Sequence, residues 1–358
     1  MWADGGRLAP VTMKRYKQLW GQVTSLENLM EAACAALRGK RSKASGAAFF
    51  AHWETEVVKL EREFREGIYE PGAYHYFKIS EPKQREIAAA PFRDRVVHHA
   101  LVRVLEPLFE PRFIEDSYAC RKGRGNHAGM RRALHFSQKY SKVLKCDIRR
   151  YFPSIRHDLM LEKIARVVGD EKVMALIRQI LGSHVQKVEN VWPLGGDLFD
   201  VREMRYGLPI GNLTSQFFAN IFLDGFDHFV KQDLRVKGYV RYVDDFLLFG
   251  ESRKNLGEIG RRCREYLTGQ GLEIHPDKYR MCSTEDGVDF CGFVVRADGR
   301  VKIRGAGVRR FQRRVKRLRH EAGRGVIEWA DVGSSVKAWA AHADHAQSWR
   351  LRCKVLSP

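Results

Sequence analysis

The amino-acid sequence predicts an α+β fold. Long stretches with apolar residues every three or four positions predict helices near both ends and in the middle of the chain. Short β-rich runs lie between them at irregular intervals, without the regular strand–helix–strand alternation of a parallel α/β sheet. The 358 residues are enough for two or three subdomains that each bury a core.

The first third of the chain predicts a helical region followed by a strand pair. Residues 12–68 have helical periodicity, which Trp20, Val23 and Leu26 begin. Residues 74–87 alternate as strands, with a turn near Pro82. Residues 94–109 predict a further helix, which ends before Pro111.

The middle of the chain contains the acidic positions of interest. Residues 143–148 predict a short apolar strand that carries Asp147. Residues 157–181 predict helix and residues 182–206 a hairpin or loop, and Asn212 or Thr214 can cap the long helix that follows. Two β-rich arms over residues 238–250 predict a hairpin with Asp244 and Asp245 at its tip.

The remaining elements are a helix, two short strands and a helical end. Residues 254–267 predict the helix, and residues 272–279 and 290–295 predict the strands. The last sixty residues are helical and basic. We expect Trp339, Trp349, His342 and His345 to pack this end of the chain and not to bind metal.

Charge and composition restrict the class of protein. Sixty-three Lys and Arg against 43 Asp and Glu give a net charge of +20, which favours a polyanionic partner such as nucleic acid. No apolar run is long enough for a membrane span, and the N-terminus lacks a secretory signal. Seven scattered cysteines without a Cys-x-x-Cys pair favour a reducing, cytoplasmic environment.

Three acids form the pattern with chemical meaning. Asp147 ends one apolar strand, and Asp244 and Asp245 lie together in a hairpin turn. Buried carboxylates are costly unless their charge is compensated, and divalent metal is a common solution. Mg²⁺ prefers one or two carboxylates together with substrate phosphates. An Asp-Asp pair alone is usually ordinary turn chemistry, so its interpretation depends on the surrounding motifs.

Those motifs resemble the ordered series of a reverse transcriptase. The series covers about residues 74–295 and includes two fingers motifs, motifs A to D and the primer-grip motif E. In chain order the matching segments are Glu81-Pro-Lys-Gln-Arg85 with Phe92-Arg-Asp-Arg-Val96, Ser117-Tyr-Ala-Cys-Arg-Lys-Gly-Arg-Gly125, Leu144-Lys-Cys-Asp-Ile-Arg-Arg-Tyr-Phe-Pro-Ser-Ile155, Gly207-Leu-Pro-Ile-Gly-Asn-Leu-Thr-Ser-Gln216, Tyr242-Val-Asp-Asp245, Gly271-Leu-Glu-Ile-His-Pro-Asp-Lys278 and Phe290-Cys-Gly-Phe293.

The resemblance implies a right-hand polymerase that uses two Mg²⁺ ions and dNTP substrates. Asp147, Asp244 and the Ile148 carbonyl would be metal ligands, and Asp245 a supporting catalytic acid. The expected nucleotide-binding residues are Lys83, Arg85, Arg121, Tyr151, Ile210, Gln216 and Lys278. Tyr151 would pack under the incoming sugar. Arg121 and Lys278 can equally be solvated surface charges, and Tyr151 an ordinary buried aromatic.

The implied subdomains are an N-terminal helical extension, fingers, palm and thumb. The extension would span residues 1–73, the fingers 74–140 and 156–206, the palm 141–155 and 207–295, and the thumb 296–358. Phe290, Cys291, Gly292 and Phe293 would form the primer grip. In the thumb, Arg309, Arg310, Arg313, Arg314 and Arg317 lie on one broad helical face and would contact nucleic-acid phosphates.

Motif B departs from the general pattern of the family. Ile210 stands where most reverse transcriptases have Gln, and Ser215-Gln216 stands where they have Ser-Pro. This variant resembles the enzymes of diversity-generating retroelements, which copy a template-repeat RNA with frequent errors opposite adenine in mutagenic retrohoming. Their partners are the retroelement RNA, the cDNA and a small basic, oligomeric accessory protein.

Two alternatives remain open. The first is another prokaryotic reverse transcriptase, such as a retron or a defence-associated enzyme. The second is a non-catalytic RNA-binding scaffold, against which the three retained acids argue. The chain stops at Pro358, so we expect neither an RNase H domain nor a maturase or endonuclease domain.

Overall fold

The computed structural model describes residues 15–41, 43–80, 84–191 and 202–356, and the predicted α+β class is confirmed. The helices are α1 (Trp20–Thr24), α2 (Leu26–Leu37), α3 (Ala44–Phe50), α4 (Trp53–Glu66), α5 (Phe92–Phe109), α6 (Asn126–Lys139), α7 (Tyr151–Ser154), α8 (His157–Ala165), α9 (Glu171–Gly182), α10 (Leu213–His228), α11 (Arg253–Gly269), α12 (Gly305–Gly323), α13 (Trp329–Ala343) and α14 (Trp349–Leu356).

The described residues also form eleven strands. They are β1 (His75–Ile79), β2 (Arg85–Ala89), β3 (Lys142–Asp147), β4 (Lys187–Val191), β5 (Arg202–Tyr206), β6 (Gly238–Tyr242), β7 (Asp245–Gly250), β8 (Arg280–Ser283), β9 (Val288–Phe290), β10 (Phe293–Val295) and β11 (Val301–Ile303). The hairpin predicted over residues 238–250 is confirmed as β6–β7, and the strands predicted over residues 74–87 pair as β1–β2. Residues 182–206, predicted as a hairpin or loop, contain the antiparallel pair β4–β5. The turn predicted near Pro82 lies outside the described residues.

The chain divides into two compact units. The first contains the described residues of 1–113 and 150–224, and the second those of 114–149 and 225–358. The expected division into extension, fingers, palm and thumb is finer than this and stays a prediction.

The first unit is mainly helical. Helix α2 buries its apolar face, including Leu29 and Ala33, and packs against α4 and α5. The carboxylate of Asp170 joins the start of α1 to α9. The Asp170 side chain caps α9 by accepting the Lys172 and Val173 N–H groups, and it also accepts the Leu19 and Trp20 N–H groups at 2.8 and 2.9 Å.

The second unit is built on an antiparallel sheet with the strand order β6-β7-β3-β8. One face packs on α11, where a Cβ on Gly260 would come within 2.6 Å of Leu144 Cδ2. The other face contributes Val143 and Leu247 to a core shared with α6 and with a three-stranded sheet of order β11-β10-β9. Two layers of apolar contact therefore hold the central sheet.

The C-terminal helices form an α-hairpin with an aromatic centre. Phe311 of α12 stacks on Trp339 of α13, with ring centroids 4.2 Å apart and an interplanar angle of 4°. His342 lies against Phe293, at a centroid distance of 4.5 Å. Trp349 is 71% exposed, so the expectation that it packs this end of the chain is wrong.

Two local predictions need correction. Residues 272–279 do not form a strand, because Pro276 lacks an N–H group and begins a 3₁₀ helix at Pro276–Lys278. Residues 290–295 are two strands, β9 and β10, joined by a turn at Cys291 and Gly292. Asn212 directly precedes α10, as expected of a capping residue, and its side-chain amide donates to the Ala88 carbonyl of β2 at 2.8 Å.

Within the described part of the chain, no helix combines the length and the apolarity that a membrane crossing requires.

Asp170→Ala should destabilise the first unit by about 2 kcal/mol, because one substitution removes a helix cap and two further hydrogen bonds. Burial would raise the pKa of Asp170, but the four backbone N–H groups outweigh it and lower the pKa. Since a lowered pKa stabilises the fold only while the carboxylate is ionised, the difference from wild type should shrink below about pH 4. Urea unfolding at pH 7 and pH 3.5 measures both effects.

Glu171→Ala is the matched control for this prediction, because Glu171 is an exposed acid one position further on. Hydrogen exchange at the Leu19 and Trp20 amides should accelerate only in Asp170→Ala. Equal effects of the two substitutions would contradict the shared-cap interpretation.

Candidate active site

The three acids lie at one end of the central sheet of the second unit. Asp147 is the last residue of β3 and pairs directly with Asp245, the first residue of β7. Asp244 lies in the two-residue turn between β6 and β7, and its carbonyl accepts the Ile148 N–H at 3.0 Å. Directly opposed residues of an antiparallel pair have Cβ atoms about 5 Å apart, so the strand register itself brings the acids together.

Two lysines compensate this negative charge. Because side chains alternate along a strand, Lys145 shares a face with Asp147 and Asp245, and its Nζ lies 3.5 Å from Asp245 Oδ2. Lys278 of the 3₁₀ helix places its Nζ 2.5 Å from Asp147 Oδ2. The predicted acids and Lys278 are therefore neighbours.

Asp245 has a raised pKa. Burial is the main cause, Lys145 opposes it, and the charges of Asp147 and Asp244 add to it, so that the pKa of Asp245 is raised to about 6. Among the described residues its Oδ1 is buried without a hydrogen-bond partner. Such an oxygen is costly and is available to a cation or a water molecule.

The acids at the sheet end fit a divalent metal ion. In the part of the chain that the structure describes, no three His, Cys, Asp or Glu side chains form a ready-made metal cage. Mg²⁺ does not need one, since it binds through one or two carboxylates and takes its remaining ligands from water and phosphates. Carboxylate oxygens at the sheet end, one of them unpaired, fit such an ion.

The Phe290–Phe293 segment is a tight hairpin beside this sheet. Phe290 and Phe293 are completely buried, and Cys291 and Gly292 have φ angles of +50° and +87°. Positive φ at both central residues is typical of a type I′ turn. Lys145 Nζ also donates to the Asp289 carbonyl at 2.5 Å, so the same lysine contacts both an acid and this hairpin.

Other predicted site residues lie in the first unit. Tyr151 begins α7, is 2% exposed, and donates its hydroxyl to the Ala219 carbonyl at 2.6 Å. The half-buried Ile210 accepts the Ala88 N–H of β2 at 3.2 Å through its carbonyl. Arg85, at the start of the same strand, and Gln216 are both exposed. Lys83 lies outside the described residues.

Arg121 has structural contacts that the prediction did not anticipate. Its Nη1 donates to the Ile114 and Ser117 carbonyls at 2.6 and 2.8 Å, and the residue is only 9% exposed. In this arrangement Arg121 stabilises its own loop instead of offering its guanidinium to a nucleotide.

The basic residues of α12 occupy its solvent side. Arg309, Arg313 and Arg314 are exposed, as is Arg317, whereas Arg310 is half-buried. Phe311 and Val315 form the buried side of the helix. This separation agrees with the predicted amphipathic helix.

Sequence reasoning missed Lys145 and the buried pair of Arg241 and Asp227. Each base interrupts an apolar strand, which is the only signal that the sequence offered. A buried base in a strand needs an acidic partner, but the partner's position in the chain depends on the tertiary structure.

An α+β chain with acids at a sheet end and a basic helical C-terminus fits the nucleotidyltransferases. The family profile "Reverse transcriptase (RNA-dependent DNA polymerase)" matches residues 78–295. The chain therefore belongs to the reverse transcriptase family. Its predicted enzyme class, RNA-directed DNA polymerase, and its right-hand polymerase fold are confirmed.

Relatives include intron-encoded proteins. The chain is 26% identical to Protein YkfC of Escherichia coli, over 78% of this chain and 82% of that protein. It is 25% identical to the group II intron-encoded protein LtrA of Lactococcus lactis, over 50% of this chain and 29% of that protein. Apo telomerase from Candida tropicalis aligns with a TM-score of 0.47 and 12% identity, over 71% of this chain and 53% of that one.

Asp245→Asn should stabilise the metal-free protein at pH 8 by about 2 kcal/mol. A carboxyl whose folded pKa is raised opposes folding once the pH exceeds its unfolded pKa, and the full effect is present above the folded pKa. The gain should therefore grow between about pH 4 and pH 6 and then level off. Thermal unfolding in EDTA across this range measures it.

Asp277→Asn, at an exposed position in the same region, is the matched control and should leave stability unchanged. An Asp245→Asn variant no more stable than wild type at pH 8 would contradict the raised pKa of Asp245.

Proposed function

We propose that this reverse transcriptase copies a template-repeat RNA into adenine-mutagenic cDNA for a diversity-generating retroelement. The observation that carries the proposal is motif B, with Ile210 and the pair Ser215-Gln216. An apolar side chain at position 210 offers no hydrogen bond to an incoming nucleotide. Because base discrimination depends on polar contacts that mismatches fail to satisfy, their absence favours errors.

The position of Ile210 supports this proposal. Its carbonyl pairs with the Ala88 N–H, and the neighbouring Asn212 side chain also bonds this strand. Gly211 has a φ of +113°, and a Cβ there would come within 3.0 Å of Ile87. The backbone around Ile210 is therefore held firmly, so the identity of its side chain determines what this loop offers to a nucleotide.

The acids would supply the metal site. Asp147 and Asp244, with the Ile148 carbonyl, would hold Mg²⁺, and Asp245 would support them through its charge. When held there, Mg²⁺ would supply Lewis-acid chemistry for an attacking 3′-hydroxyl and a leaving pyrophosphate. Lys278 and Lys145 would offset the negative charge of the carboxylates, since each places an ammonium group beside one acid.

The nucleotide would be held by residues that the motifs imply. Arg85 is exposed and well suited to a triphosphate, with Lys83 beside it in the sequence. Tyr151 would contact the incoming sugar, and its hydroxyl bond to the Ala219 carbonyl keeps the ring in place. Gln216 and Lys278 complete the proposed set.

Template and product would lie along the hairpin and the basic helix. The β9–β10 hairpin, Phe290–Phe293, would support the primer end. The exposed arginines of α12 would contact phosphates, which makes binding steeply dependent on salt. The template RNA, the cDNA and a small basic accessory protein are the proposed partners.

A second candidate is another prokaryotic reverse transcriptase, such as a retron or a defence-associated enzyme. The similarity to YkfC and to the intron-encoded LtrA favours it. The error spectrum of the cDNA distinguishes the two.

Primer extension on a defined RNA with the wild-type enzyme, Mg²⁺ and dNTPs should give cDNA with errors concentrated at template adenines. Asp244→Ala should abolish synthesis, because it removes a proposed metal ligand. Sequencing of the products measures the errors. Uniform, low error at all four bases would refute the retroelement assignment while leaving the polymerase intact. No synthesis by the wild type, with RNA and accessory protein present, would favour a scaffold.

Ile210→Gln should reduce errors at template adenines by about tenfold, because a side-chain amide restores a polar contact to the incoming nucleotide. Ile210→Leu is the matched control and should keep the wild-type spectrum, since it remains apolar. Adenine errors that are unchanged in the Gln variant would show that the mutagenic property resides elsewhere.

A further inference from the structure

Arg241 is a charged residue in the core of the second unit. It lies in β6, three positions before Asp244, and neither it nor its partner Asp227 is exposed at all. Its guanidinium binds Asp227 at two points, with Nε 2.7 Å from Oδ1 and Nη2 2.5 Å from Oδ2. Tyr239 donates its hydroxyl to Asp227 Oδ1 at 2.6 Å, so the carboxylate is well satisfied.

A third contact of Arg241 reaches the turn that carries Asp244. Its Nη1 donates to the Val243 carbonyl at 3.0 Å. Val243 is the first of the two turn residues and has a φ of +57°. This conformation is unfavourable for a β-branched residue and persists only where the surroundings impose it.

The geometry of this contact matters for Asp244. The Val243 carbonyl belongs to the peptide unit that joins Val243 to Asp244, so a donor on that oxygen sets the plane from which Asp244 projects. The main chain of Arg241 is held as well. Its N–H donates to the Asp116 carbonyl at 2.9 Å, and its own carbonyl accepts the Tyr118 N–H at 3.0 Å.

We infer that Arg241, oriented by Asp227, is a positioning residue that holds the Val243–Asp244 peptide and thereby places the Asp244 carboxylate at the metal site. The inference rests on the proposed polymerase function of the acids. Arg241 is fully buried and acts only through the turn. A guanidinium is required because only its planar fork can bind a carboxylate at two points and still donate to a third acceptor.

A stabilising role alone does not explain this pair. Buried ion pairs are often no more stabilising than apolar side chains of similar size, because both charges must be removed from water. Arg241→Met combined with Asp227→Asn removes both charges together, and the amide of D227N still accepts the Tyr239 hydroxyl. This double variant should therefore fold, and its effect on the turn can be measured separately from stability.

The experiment measures primer extension kinetics and Mn²⁺ binding by EPR in the full chain. R241M/D227N should lower kcat by about 100-fold with dNTP KM within about threefold of wild type, because Asp244 is misplaced while the nucleotide site is intact. Mn²⁺ affinity should fall about tenfold, as expected when a group that orients a metal ligand is lost. Thermal unfolding and RNA affinity should match wild type.

Val243→Gly tests the turn directly. Glycine adopts a positive φ without strain, so the turn depends less on Arg241 in that background. The kcat loss caused by R241M/D227N should therefore shrink to about tenfold when it is measured against V243G alone. Arg261→Met with Glu258→Gln, which removes an exposed two-point ion pair on α11, is the matched control and should leave every parameter unchanged.

The positioning role is overturned if the folded double variant keeps kcat and Mn²⁺ affinity within about threefold of wild type. It is equally overturned if R241M/D227N lowers kcat as much in the V243G background as in the wild type. If the double variant does not fold, Arg241→Lys is measured against the same kcat and Mn²⁺ limits. Lysine retains the positive charge and lacks the planar guanidinium. Mn²⁺ binding reports on Asp244 even if no cDNA forms, so failure of the polymerase proposal remains distinguishable.

Discussion

The register of β3 against β7 places two carboxylates, Asp147 and Asp245, opposite each other at the end of a sheet. Like charges in this relation repel, and the neighbouring structure compensates them. Lys145 comes from the same strand as Asp147, and the segment before Lys278 is fastened to β3 by the bond from the His275 N–H to the Asp147 carbonyl. Lys145 also donates to the Asp289 carbonyl, so the lysine that compensates the acids also holds the β9–β10 hairpin beside them.

In each unit, side chains that donate to backbone carbonyls hold the functional loops. Asn212 binds the Ala88 carbonyl of β2, and Arg241 binds the carbonyl of a strained turn residue. Loops have few backbone partners of their own, and such bonds replace the missing ladder. Chemistry that depends on tenths of an ångström can therefore reside on turns without regular structure.

The sequence predicted the hairpin that carries Asp244 and Asp245, because the two β-rich arms beside them are a local signal. It failed at residues 272–279, where Leu272 and Ile274 alternate like a strand but Pro276 ends the pairing. It also failed at Cys291, since a type I′ turn usually shows Asn or Gly at that position. The partners of Lys145 and Arg241 could not be predicted, because they depend on the packing of distant segments.

The alternation of β3 has an evolutionary consequence. Val143, Lys145 and Asp147 face one layer, while Leu144 and Cys146 face the other. A single inserted or deleted residue within the strand would exchange these faces, burying the charges against α11 and exposing the apolar side chains. Homologous sequences should therefore vary in this strand by substitution and keep its length unchanged, so that gaps in an alignment fall outside it.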